Sequence, residues 1–154
     1  MDCHVRIRHF SALAARLGEA DPAPEPEVAE AARAVVDYFE RALPLHAADE
    51  DESLAPRLGP AQASALAEMT AQHREIDRLL QQLIPLWRRV AAQPEDRSAA
   101  RPRLGDGAAR LIEIFDAHLA REEAHIFPAV EALPADVQKQ ILDEMTGRRS
   151  ATPG

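Results

Sequence analysis

Twice in this chain, an apolar stripe of helical period runs directly into a histidine and a glutamate four residues apart. The first stripe is Val28, Ala32, Val35, Phe39 and Leu43, and it continues into His46 and Glu50. The second is Leu111, Ile114 and Phe115, continuing into His118 and Glu122. Residues four apart lie about 40° apart around a helix, so each pair projects from the face that its stripe buries. A carboxylate turned into an apolar core is costly unless something compensates it. Two such carboxylates, each beside an imidazole, call for a shared cation.

The two copies agree beyond these pairs. Residues 46–56 align on residues 118–128 without a gap. In register along them recur His, Glu, a following acid (Asp51, Glu123), an aliphatic residue (Leu54, Ile126) and proline (Pro56, Pro128). This is an internal repeat of helix pairs. The repeat asks for one histidine early in each preceding helix. His73 supplies it in the third, followed by Ile76, Leu79, Leu83 and Leu86. The first helix offers His4 or His9. From His4 the same offsets meet Ile7, Phe10, Ala14 and Leu17; from His9 they meet Ala12, Ala15, Glu19 and Pro22. His4 is the better match.

Breakers divide the rest of the chain. Pro22, Pro24 and Pro26 mark a first connection, Pro56 to Pro60 a second, and Gln93 to Gly107 a third; Pro128 and Pro134 close a fourth segment. The segments between them carry the 3.6-residue rhythm, starting with Cys3 to Leu17, and none carries a strand pattern. The expected fold is all-α: an up-down antiparallel four-helix bundle over residues 1–145. A short fifth helix after Pro134 is expected to bury Val137, Ile141 and Leu142, and residues 146–154 to form a flexible tail. Pro44 and Pro85 lie inside helical patterns and predict kinks.

Composition excludes some functions. Eighteen basic against 26 acidic residues leave a net charge of −8. That argues against a binder that neutralises nucleic-acid phosphates and gives no attraction to an anionic membrane. No apolar run reaches the roughly 18–20 residues of a membrane span. One cysteine, Cys3, cannot form an internal disulfide, and the first residues lack the apolar stretch of a secretion signal, so a cytoplasmic location is expected.

Four histidines and two glutamates exceed what one tetrahedral zinc takes. They suit two octahedral ions bridged by the carboxylates, each ion taking two histidines. Imidazole and carboxylate without thiolate favour iron ahead of manganese or zinc.

The pattern His…His-x3-Glu…His…His-x3-Glu-Glu-x2-Ile-Phe-Pro resembles the hemerythrin-like, or HHE cation-binding, proteins over nearly the whole chain. The resemblance implies an oxo- or hydroxo-bridged di-iron centre and carries ligand roles onto His4, His46, Glu50, His73, His118 and Glu122. Oxygen-carrying members place a fifth histidine four residues after the third-helix ligand, where this chain has Asp77. The pattern is closer to six-ligand HHE domains linked to iron or oxygen sensing, nitric-oxide response and iron-centre repair. The function expected is therefore a module that binds or senses oxygen, nitric oxide or iron. The alternative is a di-iron oxidase or peroxidase, although no residue outside the ligand set reads as a dedicated acid, base or substrate clamp. His125 forms a Glu-x2-His with Glu122 like that of ferritin-type oxidases. Its counterpart in the repeat is Ser53, which places His125 outside the ligand set, in an outer or exposed position. The acidic run Asp49 to Glu52 reads as a solvated face near a helix end, where a nearby cation would relieve its charge.

Overall fold

A computed structural model describes residues 3–20 and 23–151. Helix α1 (Cys3–Leu17) covers the first amphipathic segment. Helix α2 (Glu25–Asp37) starts with Pro26 in its first turn, where a missing N–H costs nothing, and acids there oppose the helix dipole favourably. A wide turn, Tyr38–Ala42, joins it to α3 (Leu43–Ala48), and a second wide turn, Asp49–Leu54, follows. Two long helices come next, α4 (Ala63–Ala92) and α5 (Arg97–Arg121). A third wide turn, Glu122–Ile126, leads into α6 (Phe127–Glu131), and α7 (Ala135–Ala151) closes the described chain. No strand occurs among the described residues. No helix among them is long and apolar enough to cross a membrane.

The bundle is all-α, with four arms in a ring. α1 packs on α2 and α5, and α4 completes the square against both. Its main core runs from Ile7, Ala14 and Leu17 across Val35 and Phe39 to Trp87, Val90, Leu104 and Leu111, all nearly or fully buried. A second, smaller cluster at the other end joins Leu54, Ala65, Met69, Ile126 and Ile141. The residues that interrupt the apolar stripes lie in sequence between these two clusters on each long arm.

Each wide turn ends two residues before a proline: Ala42 before Pro44, Leu54 before Pro56 and Ile126 before Pro128. The proline ring clashes with the carbonyl four residues back. Widening the preceding turn moves that carbonyl aside, and the residue before each proline donates its N–H five residues back instead. In the two repeated segments these bonds run from Ala55 to the Glu50 carbonyl and from Phe127 to the Glu122 carbonyl. The proline of the repeat thus fixes the backbone of its glutamate. At Pro44 the expected kink takes the form of such a turn, whereas α4 continues as one helix through Pro85.

Three expectations need correction. The third break is confined to residues 93–96, because α5 already runs through Pro102, Gly105 and Gly107. A Cβ on Gly18 would run into the Gly105 backbone, which has no side chain to yield, so glycine is needed at position 18. A Cβ on Gly105 would meet Gly18 only at ordinary contact distance, and one on Gly107 would meet the far end of the Leu83 side chain. The fifth helix is longer than expected and reaches Ala151, so the flexible tail expected from Thr146 is helical that far; residues 152–154 lie outside the described residues. Its buried side holds Ile141, with Val137 partly covered, but Leu142 is exposed.

Candidate metal centre

All six candidate residues come together in one layer. Glu122 and His118 are effectively solvent-free, and Glu50, His4 and His46 are buried; His73, on α4, is partly covered. His46 Nε2 lies 2.7 Å from Glu50 Oε1, while His73 Nε2 and His118 Nε2 lie 2.9 and 3.4 Å from Glu50 Oε2. His118 Nε2 lies 2.7 Å from Glu122 Oε1, and His4 Nε2 lies 3.1 Å from Glu122 Oε2. Glu50 therefore turns one oxygen toward His46 and the other toward His73 and His118, while Glu122 turns Oε2 toward His4 and Oε1 toward His118, with His46 3.9 Å from that same Oε1. Ligand atoms of His46, Glu50, His118 and Glu122 all lie within 4.8 Å of one another.

Some of these approaches are close without being hydrogen bonds. His46 Nε2, Glu50 Oε1 and Glu122 Oε1 are buried and have no hydrogen-bonding partner among the described residues. Orphaned buried polar atoms that converge are costly on their own. They are what a cation would satisfy, so the donor set fits a bound metal ion.

The outer nitrogens of the rings follow a pattern that the repeat explains. His4 Nδ1 lies 2.9 Å from Glu123 Oε1, and His73 Nδ1 lies 3.5 Å from Asp51 Oδ1. Glu123 and Asp51 are the matched acids that follow Glu122 and Glu50. Each half of the repeat thus holds the histidine of the other pair's first helix. His118 Nδ1 donates to Gln72 Oε1 at 3.2 Å, and the Cys3 thiol lies beside His46. Gln72 and Cys3 likewise occupy matched places, each just before a histidine of the set. A ring whose Nδ1–H is held outward presents the Nε2 lone pair inward, which is how protein imidazoles are aimed at metals.

Charge in the layer is set by these contacts. Burial opposes the imidazolium of His46, but the Cys3 thiol and the Glu50 carboxylate outweigh it and push its pKa up to about 11. Burial likewise opposes the charge on His118, while Glu122 and Glu50 raise its pKa to about 9. The Glu122 contact raises that of His4. Burial would raise the Glu50 pKa, yet His118, His46 and His73 hold it well below the usual carboxylate range. Without a cation, protons on the imidazoles balance the two carboxylates; a metal ion would displace those protons.

A model of the hemerythrin HHE cation-binding domain matches residues 1–130. This chain belongs to the hemerythrin HHE family. The hemerythrin HHE domain is a cation-binding fold, and this one carries a buried His/Glu cluster able to hold a metal ion. It is also 28% identical over 120 residues to an uncharacterised protein of Haemophilus influenzae, a match covering 75% of this chain and 66% of the relative.

His9 and His125, the two histidines outside the set, are exposed, and so is Asp77. The acidic run, expected as a solvated face, is solvated only at Asp51 and Glu52, while Asp49 and Glu50 are buried. Asp49 is buried and receives Arg148 Nη1 at 2.7 Å and Arg149 Nη2 at 2.5 Å, and Glu52 receives Arg148 Nε at 3.1 Å. Glu144 of α7 accepts from Ser53 and Arg57 on the same segment. The cations that relieve the run are thus arginines of the last helix. The only sequence signal was the pair Arg148-Arg149 itself, in a stretch read as tail. A cavity of about 180 Å³ at this end is lined by His4, His46 and Cys3 and covered by Met145 and Arg149 of α7.

Proposed function

We propose that this domain holds two iron ions, joined by an oxo or hydroxo bridge and by the Glu50 and Glu122 carboxylates. His4 and His46 would hold one ion, and His73 and His118 the other. The observation that supports two ions rather than one is that the two oxygens of each carboxylate face different histidines: His46 against His73 at Glu50, and His4 against His118 at Glu122. A single tetrahedral ion would use four donors and leave buried histidines idle. Iron suits the imidazole–carboxylate set, with manganese and zinc behind it. Such a pair of ions supplies a redox couple and positions at which a diatomic molecule binds. The role that follows is binding or sensing oxygen, nitric oxide or iron itself.

The residues of the chain do the positioning. Glu123 and Gln72 hold Nδ1 of His4 and His118 outward, Asp51 lies 3.5 Å from His73 Nδ1, and Glu122 is fully buried in the middle of the layer. Metal analysis and an absorption spectrum of protein purified from iron-replete cells in air test the reading. Two irons per chain with an oxo-to-iron band are expected; one ion per chain, or zinc alone, counts against it.

A second reading, an oxidase or peroxidase, is favoured by one observation: a cavity of about 350 Å³ opens against His73 and His118. Turnover of peroxide with a reduced donor distinguishes it from a sensor.

A further inference from the structure

The cavity beside His73 and His118 has a chemistry of its own. One wall is apolar, formed by Phe39, Leu43, Ile76, Leu80 and Phe115. The mouth carries three exposed carboxylates, Asp51, Glu52 and Asp77, and no lysine or arginine lines it. Glu52 is partly offset by Arg148 at 3.1 Å, and Asp51 faces His73, which leaves Asp77 as the acid on the α4 side. The mouth is therefore negative, and the apolar wall behind it runs up to His73 and His118. An anionic ligand is repelled there, and a purely apolar one leaves the acids unused.

Size narrows the class. Benzene occupies a cavity of about 150 Å³. A space of about 350 Å³ takes one such ring and a short chain. We propose that this cavity binds a small arylalkyl amine, its ring against Phe39 and Phe115 and its ammonium group among the carboxylates of the mouth. As a ligand of the metal domain it rests on the di-iron reading, because its ring would lie beside the His73–His118 position. Its selectivity comes from the walls and the acids alone. The other cavity, at His4 and His46, is about half this volume and so has less room for a ring and chain.

Titration calorimetry of the iron-loaded chain with 2-phenylethylamine and with 3-phenylpropionate tests this, with ion content and visible spectrum recorded on the same samples. The two probes share shape and differ in charge. The amine is expected to bind about tenfold or more tighter than the acid, a modest demand on carboxylates at short range. Ala48→Leu puts a side chain into the cavity and should abolish amine binding while ion content stays at wild type. Asp77→Lys, an exposed change that leaves the core alone, should remove or reverse the charge preference. Should Ala48→Leu fail to fold, Asp77→Lys decides. Equal binding of both probes, or no binding by protein that carries its two ions, overturns the proposal. Protein that takes up no ions from iron-replete cells yet still selects the amine overturns the di-iron reading and leaves the cavity standing.

Discussion

The two halves of the metal layer are built from matched residues and differ in what surrounds them. The His73–His118 half lies on the two longest helices, α4 and α5, and opens to a cavity of about 350 Å³ with an acidic mouth. The His4–His46 half depends on a histidine in the first turn of α1 and on a cavity of about 180 Å³ that α7 covers. The outer partners differ too, Gln72 and Asp51 on one side against Cys3 and Glu123 on the other. Duplication supplies equivalent ligands, but access and rigidity come from elements outside the repeat. The two ions should therefore be inequivalent in affinity and exchange.

The largest effect should come from breaking the shared part. His118 faces both Glu50 and Glu122, so His118→Ala is expected to lose both ions. His4 faces Glu122 at 3.1 Å, so His4→Ala should lose one ion and weaken the oxo-bridge band. His9→Ala, at an exposed position, should change neither. Metal analysis of the three variants is the check; loss of metal in His9→Ala with retention in His4→Ala would refute the assignment of α1.

Removing the metal comes next. At a free ion concentration of about 1,000 times Kd, binding contributes roughly 4 kcal/mol to the folded state, so the metal-free protein should melt many degrees lower. The gap should also depend on pH. In the metal-free fold the raised pKa values of His46 and His118 contribute stability below the ordinary histidine value, near 6.5. That contribution is lost as pH rises through about 9 and then about 11. The metal-free protein should thus weaken between neutral pH and pH values of about 9–11, and the difference in Tm from the loaded protein should widen. A constant difference across that range would contradict the proton–metal exchange.

Smaller effects sharpen the comparison further. Outer hydrogen bonds of this kind affect metal affinity by roughly 10–100-fold. Glu123→Ala should lower affinity for the ion on the His4 side by that much, and Asp51→Ala, which removes only a charge 3.5 Å from His73 Nδ1, should lower affinity on the His73 side by less. Glu123→Gln keeps an acceptor for His4 Nδ1–H and should recover most of the loss. Equal damage from Gln and Ala would mean that Glu123 acts only through its charge.

The smallest effect is expected at the cover. Arg149 is half-exposed and shares Asp49 with Arg148, so Arg149→Ala should cost no more than about 1 kcal/mol. It should nonetheless speed metal loss from the His4–His46 half when a chelator is added. Unchanged release kinetics would show that α7 does not guard that half.

How much of this was legible beforehand follows from the range of each interaction. The faces of the arms, the pairing of His46 with Glu50 and of His118 with Glu122, and the repeat all follow from 3.6 residues per turn, which is a local rule. His4 over His9 was also readable, because the repeat carries α4's pattern of buried offsets onto α1. The glycines of α5 were misread. A glycine inside a helix costs only about 1 kcal/mol, so α5 carries Gly105 and Gly107 within it, and the position that needs glycine for the close approach is Gly18.

The sequence by itself determined which side chains share a helix face, and hence the six residues that meet in the layer. Tertiary structure decided what lies behind and around them. Glu123 reaches His4 across 119 positions, and Arg148 reaches Asp49 across 99. Such partners depend on the rotation and offset of whole helices against one another, which side-chain packing fixes and periodicity leaves free. The recurring acid after each glutamate was visible as a pattern, but its purpose appeared only once the helix pairs were crossed and each acid met the histidine of the opposite half.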